Sequence, residues 1–280
     1  MVTTQTIYHE MKKRLPNWSK DIIRPLVWSV TKAHFAPPVA QMYLCNAEME
    51  SYLGINNFYS LLSPTQDTEV MIKIDLYDSA GVFIGSVERQ GRHFSGVGIR
   101  VADLLKKFSS NSPMGLITCE LIPRHPRRAI YKPLGICASH FFVFYRASNG
   151  SLGHIHPSSV LDPKNTPSAP FVSNQSISSV GLQKISLLQL NPCKVPVQVE
   201  HRVLSLNSQV TARDGATILC KKLSLMGPFE TRVVEFESEK DFPAANHPYL
   251  TVGVDPLPSS NSKPLLFRYY KGLHFSVSHS

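Results

Sequence analysis

The sequence predicts a mainly β chain, built as two tandem, duplicated β-sandwich domains preceded by a short N-terminal helical arm. Three observations predict it. First, the middle of the chain returns at its end. Gly115-Leu116-Ile117-Thr118-Cys119-Glu120-Leu121-Ile122-Pro123 is followed by Lys132-Pro133-Leu134, Phe144-Tyr145-Arg146 and the segment 150–159. The same order of chemistry recurs as Tyr249-Leu250-Thr251-Val252-Gly253-Val254-Asp255-Pro256, Lys263-Pro264-Leu265, Phe267-Arg268-Tyr269-Tyr270 and 272–280, with one insertion in the first copy. A repeat of roughly a hundred residues marks a duplicated domain rather than a solenoid unit. Second, charged residues make up only 18% of the chain and proline is abundant at 21 residues, which suits a turn-rich β fold better than a helical one. Third, short alternating segments are separated by turn signals every eight to twelve residues or so, as in sandwiches and barrels. The expected division is a helical arm over 1–38, a first sandwich over 39–160, a linker over 161–182 and a second sandwich over 183–280.

The arm is the one region with helical periodicity. Met11, Leu15, Trp18, Ile22, Ile23, Leu26, Val27 and Val30 recur at three- and four-residue steps. Asn17 is placed to cap a second helical segment after Pro16, and Pro25 interrupts it. Lys12, Lys13, Arg14, Lys20, Arg24 and Lys32 outnumber Glu10 and Asp21. With Trp18 and Trp28, this is the composition of a helix that lies in a membrane interface, or of one that covers its own core. Pro37-Pro38 ends the arm.

Between 41 and 55 the apolar positions Met42, Leu44, Met49 and Leu53 fit neither period. Further on the period becomes two. Val70, Ile72, Ile74 and Leu76 alternate with polar neighbours, Asp78-Ser79-Ala80-Gly81 is a turn by its chemistry, and Val82-Phe83-Ile84 begins the return strand. Strands are expected over 97–101, 115–122, 138–145 and 152–156, with one helical turn over 102–107. The stretch 157–179 reads as linker from its Ser, Pro and Asn content. The second series of strands is expected over 185–190, 195–203, 217–225, 232–236, 250–254, 265–270 and 273–277, with Arg213-Asp214-Gly215 as a turn.

A net charge of +9 and a pI near 9.3 favour an anionic partner. Two basic groups stand out: Lys12, Lys13, Arg14, Lys20 and Arg24 in the arm, and Arg124, Arg127, Arg128 and Lys132 in the insertion of the first copy. Insertions between strands become exposed loops, and paired arginines suit phosphate or carboxylate through bidentate hydrogen bonds. The expected function is therefore that of a non-catalytic binding or assembly protein. Its partner is an acidic lipid, an anionic glycan or a nucleic-acid backbone, which charge alone does not distinguish. Aromatic interleaving of the kind that stacks single-stranded bases is absent.

The alternative is an enzyme with a His-centred site in the cleft between the sandwiches. His154 and His156 are two apart on a strand and so share a face, and His140, His274 and His279 lie in or near corresponding final strands. Such a set could bind a divalent metal, the one cofactor this reading implies; the binding reading expects none. The plainer view has His154 and His156 facing solvent on either side of an inward Ile155. No P-loop, G-x-S-x-G or H-E-x-x-H is present, and Gly96-Val97-Gly98 lacks the third glycine and the helix of a dinucleotide site.

Cys45, Cys119, Cys137, Cys193 and Cys220 are odd in number and show no C-x-x-C spacing. They read as free thiols of a reducing compartment. With no leader-like N-terminus and no apolar run of about 18 residues, the expected location is cytoplasmic, peripheral at the inner membrane surface if lipid is the partner. Without a secretion signal, the sequons Asn149-Gly150-Ser151 and Asn174-Gln175-Ser176 are chance matches.

Overall fold

The computed structural model describes residues 38–62, 68–123, 141–156, 159–160, 173–205, 217–243, 246–259, 262–271 and 275–279. The chain is mainly β. Among the described residues its strands form four antiparallel sheets, with two short helices, α1 (Tyr59–Leu62) and α2 (Val101–Lys107). The expected helical arm, up to residue 37, lies outside the described residues.

The first series of strands is β1 (Val39–Leu44), β2 (Met49–Asn56), β3 (Val70–Asp78), β4 (Phe83–Gly91), β5 (Gly96–Arg100), β6 (Met114–Pro123), β7 (Phe141–Ala147), β8 (Leu152–Ile155) and the two-residue β9 (Ser159–Val160). They make two sheets, of order β4-β3-β6-β1-β9 and β5-β2-β7-β8. The second series is β10 (Ser173–Ser178), β11 (Leu182–Leu190), β12 (Val197–Ser205), β13 (Thr217–Met226), β14 (Thr231–Glu237), β15 (Tyr249–Asp255), β16 (Leu265–Tyr270) and β17 (Phe275–His279). Its two sheets have the order β13-β12-β15-β10 and β14-β11-β16-β17.

Reading β1 to β8 as β10 to β17 turns the first pair of sheets into the second, with β9 left over. The correspondence extends to register. The β3–β4 ladder shifts between Leu76 and Tyr77, the seventh and eighth residues of a nine-residue strand. The β12–β13 ladder shifts between Val203 and Leu204, again the seventh and eighth of nine.

Local chemistry explains the hairpin at 78–83. Asp78 Oδ1 accepts from the Ala80 and Val82 N–H groups, each at 2.9 Å, and Gly81 takes φ +81°, open to glycine at little cost. The ambiguous stretch 41–55 becomes β1 and β2. β1 is buried at all six positions, so no alternation shows in its sequence. β2 alternates, but polar Ser51 takes an inward place. Its hydroxyl donates to Leu44 O at 2.8 Å and accepts from Leu44 N at 2.9 Å, pairing backbone groups of the neighbouring strand. Part of the expected linker is also strand: Ser173–Ser178 forms β10 along the length of β15.

One sheet is covered on both faces. Along β11, Ile185 and Leu187 pack with Val199, Val252 and Phe236 of the second series. Leu188 and Leu190 instead join a cluster with Met42, Leu44 and Leu116 of the first series, together with Leu265, Phe267 and Phe275. The Tyr145 and Phe267 rings meet edge to face at 5.1 Å, and Thr231 N donates to Ser79 O at 2.9 Å. Each large apolar side chain buried at this seam contributes on the order of 2 kcal/mol.

Candidate functional site

The charge is unevenly placed. The described residues hold 17 of the 29 Lys and Arg but 15 of the 20 Asp and Glu, so they are nearly neutral. At least seven of these cations are ion-paired, among them Lys73 with Asp75 at 3.3 Å, Arg202 with Asp255 at 3.2 Å and Lys184 with Glu235 at 3.1 Å. The excess lies elsewhere. Lys12, Lys13, Arg14, Lys20 and Arg24 fall before the described residues, and Arg124, Arg127, Arg128 and Lys132 fall between Pro123 and Phe141, in the connection from β6 to β7. No acidic residue lies between 124 and 140.

His154 and His156 are both exposed, and Ile155 between them is buried. His154 stacks on Phe144, with ring centroids 5.6 Å apart, and the His156 carbonyl accepts from Gln41 Nε2 at 3.1 Å. β8 and β17 hold corresponding places in their sheets, and they approach one another: a Cβ at Gly153 would meet Val277 and Phe275. Gly153 and His154 point to opposite faces of β8, so the described part of this approach is apolar. His140 and His274 lie outside the described residues, and of His279 only the backbone, in β17, is described. Among the described residues no three His, Cys, Asp or Glu side chains are grouped to hold a metal ion.

A polar group that sequence reasoning missed sits in the second series. His201, on β12, is fully buried, and neither ring nitrogen has a hydrogen-bond partner. Burial pushes its pKa down to about 4; the nearby Lys222 backbone works against this and Arg232 adds to it. Directly opposite on β13 is Lys222. Its ammonium reaches β14, donating to Glu235 O, sitting 4.8 Å from the Phe236 ring centroid and pairing with Asp241 at 3.0 Å. Burial raises the Asp241 pKa, but the Glu237 N–H and the Lys222 ammonium together hold the carboxyl below its usual range. Cys220 Sγ also lies 3.6 Å from Asp241. With the Lys222 ammonium paired to it, this carboxylate is no acid near neutrality. The group ties the edges of two sheets together. Its signal in the sequence was the break of an apolar alternation, Val197-Val199-His201-Val203, by one histidine.

On the outer face of β5-β2-β7-β8, register aligns Arg100, Tyr52, Phe144 and His154 in one row across four strands. Glu50 fixes one end, accepting from Tyr52 Oη and Arg100 Nε, both at 2.5 Å. These hydrogen bonds, Tyr52 foremost, lower the Glu50 pKa. The row is an aromatic strip with a clamped carboxylate–guanidinium pair at its edge.

The chain matches no protein-family model and no curated protein.

Proposed function

We propose that this chain is a binding or assembly protein made of two duplicated β-sandwiches, which meets an anionic surface through residues 1–38 and the 124–132 loop. The partition of charge carries the reading: a nearly neutral, internally paired β framework with its positive excess confined to a few segments. The matched strand orders and the shared ladder shift support the duplication. The four described cysteines are free thiols, in keeping with a reducing, cytoplasmic setting, and among the described residues no helix is long and apolar enough to cross a membrane.

Each Lys or Arg near an anionic bilayer contributes about 1 kcal/mol, so the nine cations suffice for micromolar affinity. The test is binding of the full chain to phosphatidylserine vesicles, to a sulfated glycan and to DNA, from low to physiological salt. Binding to one of the three should weaken steeply with salt. It should also be lost when Lys12, Lys13, Arg14, Lys20, Arg24, Arg124, Arg127, Arg128 and Lys132 are all changed to Gln. Failure to bind any of the three at low salt sinks the proposal.

The second reading, a His-centred and metal-dependent enzyme, draws on the exposed pair His154 and His156, which lies on the face of β8 away from β17. Metal analysis of protein purified without a His tag separates it from the first: a stoichiometric metal lost in His154→Ala/His156→Ala would favour the enzyme.

A further inference from the structure

We propose that two copies of this chain associate by antiparallel pairing of strand β13 with itself. β13 is ten residues long and forms one edge of its sheet, so among the described residues one side of its backbone has no strand to pair with. An unpaired edge is a template for another strand. Ile218, Leu223 and Leu225 are 50%, 60% and 66% exposed. Allowing for the ladder shift, they share the outer face of β13 with Lys221.

The corresponding edge in the first series keeps an exposed Phe83 at the place of Ile218 but lacks the two leucines. By register, β4 carries Ser86, Glu88 and Gln90 where β13 carries Lys221, Leu223 and Leu225. Proteins commonly guard an edge with charged side chains, lysine above all. Here both lysines of the strand are already answered, Lys221 by Glu200 at 3.7 Å and Lys222 by Asp241 at 3.0 Å.

A twofold axis through Leu223 makes the edge self-complementary. Leu223 then faces Leu223 of the second copy, Lys221 faces Leu225 and Lys222 faces Ser224. No like charges stand directly opposite, and the leucines form a continuous apolar patch across the axis. Such an isologous contact closes as a dimer and does not propagate.

The experiment is sedimentation equilibrium of the full chain with two variants. The parent should show a concentration-dependent monomer–dimer equilibrium. L223K sets two ammonium groups against each other at the axis and should weaken dimerisation by at least about tenfold, with the far-ultraviolet circular dichroism unchanged. As a readout independent of stability, L223C should cross-link to itself on mild oxidation above the background of the parent. I218C should not, since Ile218 lies far from the axis. A parent that stays monomeric, a dimer indifferent to L223K, or cross-linking at 218 in place of 223 overturns the proposal. These outcomes are independent of anion binding.

Discussion

His201 faces Lys222 across the β12–β13 ladder at the position where, in the β3–β4 ladder, Ile74 faces Val87. One pair of sheets thus keeps an apolar couple inside, and the other has replaced it with two nitrogen-bearing side chains. Lys222 escapes to the edge and finds partners. His201 does not: it is fully buried, with the Lys222 backbone near but no well-formed hydrogen bond to either ring nitrogen.

Such a histidine costs stability, and the cost depends on pH. An unfolded histidine titrates near 6.5, whereas His201 in the fold titrates at about 4. Between those values the unfolded chain binds a proton that the folded chain does not. Stability is therefore fully present above about 6.5 and falls by roughly 3 kcal/mol as pH drops to about 4. His201→Ile should raise stability at pH 7.5 by about 1–3 kcal/mol, because it removes two unsatisfied buried nitrogens. It should also flatten the pH dependence relative to the parent. Urea titrations at pH 7.5 and 5 measure both; a destabilised variant with the parent's pH slope would mean that the imidazole is satisfied in solution.

Tyr145 should show the opposite sign. It is fully buried, its hydroxyl donates to Met42 O at 2.6 Å, and its ring packs on Phe267. Tyr145→Phe keeps the ring contact and leaves the Met42 carbonyl unpaired, which should cost about 1–2 kcal/mol. Phe267→Ala opens the seam between the two strand series and should cost about 3–5 kcal/mol. Denaturation midpoints of both variants test the order.

Much of the β pattern was legible in the sequence, for reasons tied to one-sided burial. Val70, Ile72, Ile74 and Leu76 are buried while Met71, Lys73 and Asp75 are half-buried, so period two survives in the letters. β1 was not legible because both of its faces are covered. β10 was missed because Asn174, Ser176 and Ser178 are exposed and only Ile177 is buried there among its apolar residues, leaving the composition of a loop. The His154–Ile155–His156 face was legible as alternation. The residue opposite His201 was not, since nothing in a sequence says which strand's lysine will stand there.

The thiols divide by burial. Cys119 and Cys193 are buried, Cys45 and Cys220 partly so, and burial pushes all four thiols above their usual range. With a disulfide-exchange reagent at pH 8, Cys45 and Cys220 should react slowly and Cys119 and Cys193 should be silent until the chain unfolds. Denatured protein without reductant should give five thiols, the full count of the sequence. Three or fewer would mean a disulfide and an oxidising compartment.

Two glycines make a matched pair for the packing at the seam. A Cβ at Gly153 would stand 2.7 Å from Val277 Cγ1 and 3.0 Å from Phe275 Cε2, too close for either side chain to stay in place. Gly153→Ala should therefore cost about 1–3 kcal/mol as the strands β8 and β17 are forced apart. At Gly98 on β5 a Cβ meets nothing within 4 Å, and its backbone is not in the left-handed region. Gly98→Ala should be neutral or stabilise by up to about 1 kcal/mol, through the smaller entropy of the unfolded chain. Thermal or urea denaturation of the two variants beside the parent reads the difference. Equal effects would show that β8 and β17 do not pack closely in solution, and the seam between the two strand series would then be looser than its buried residues imply.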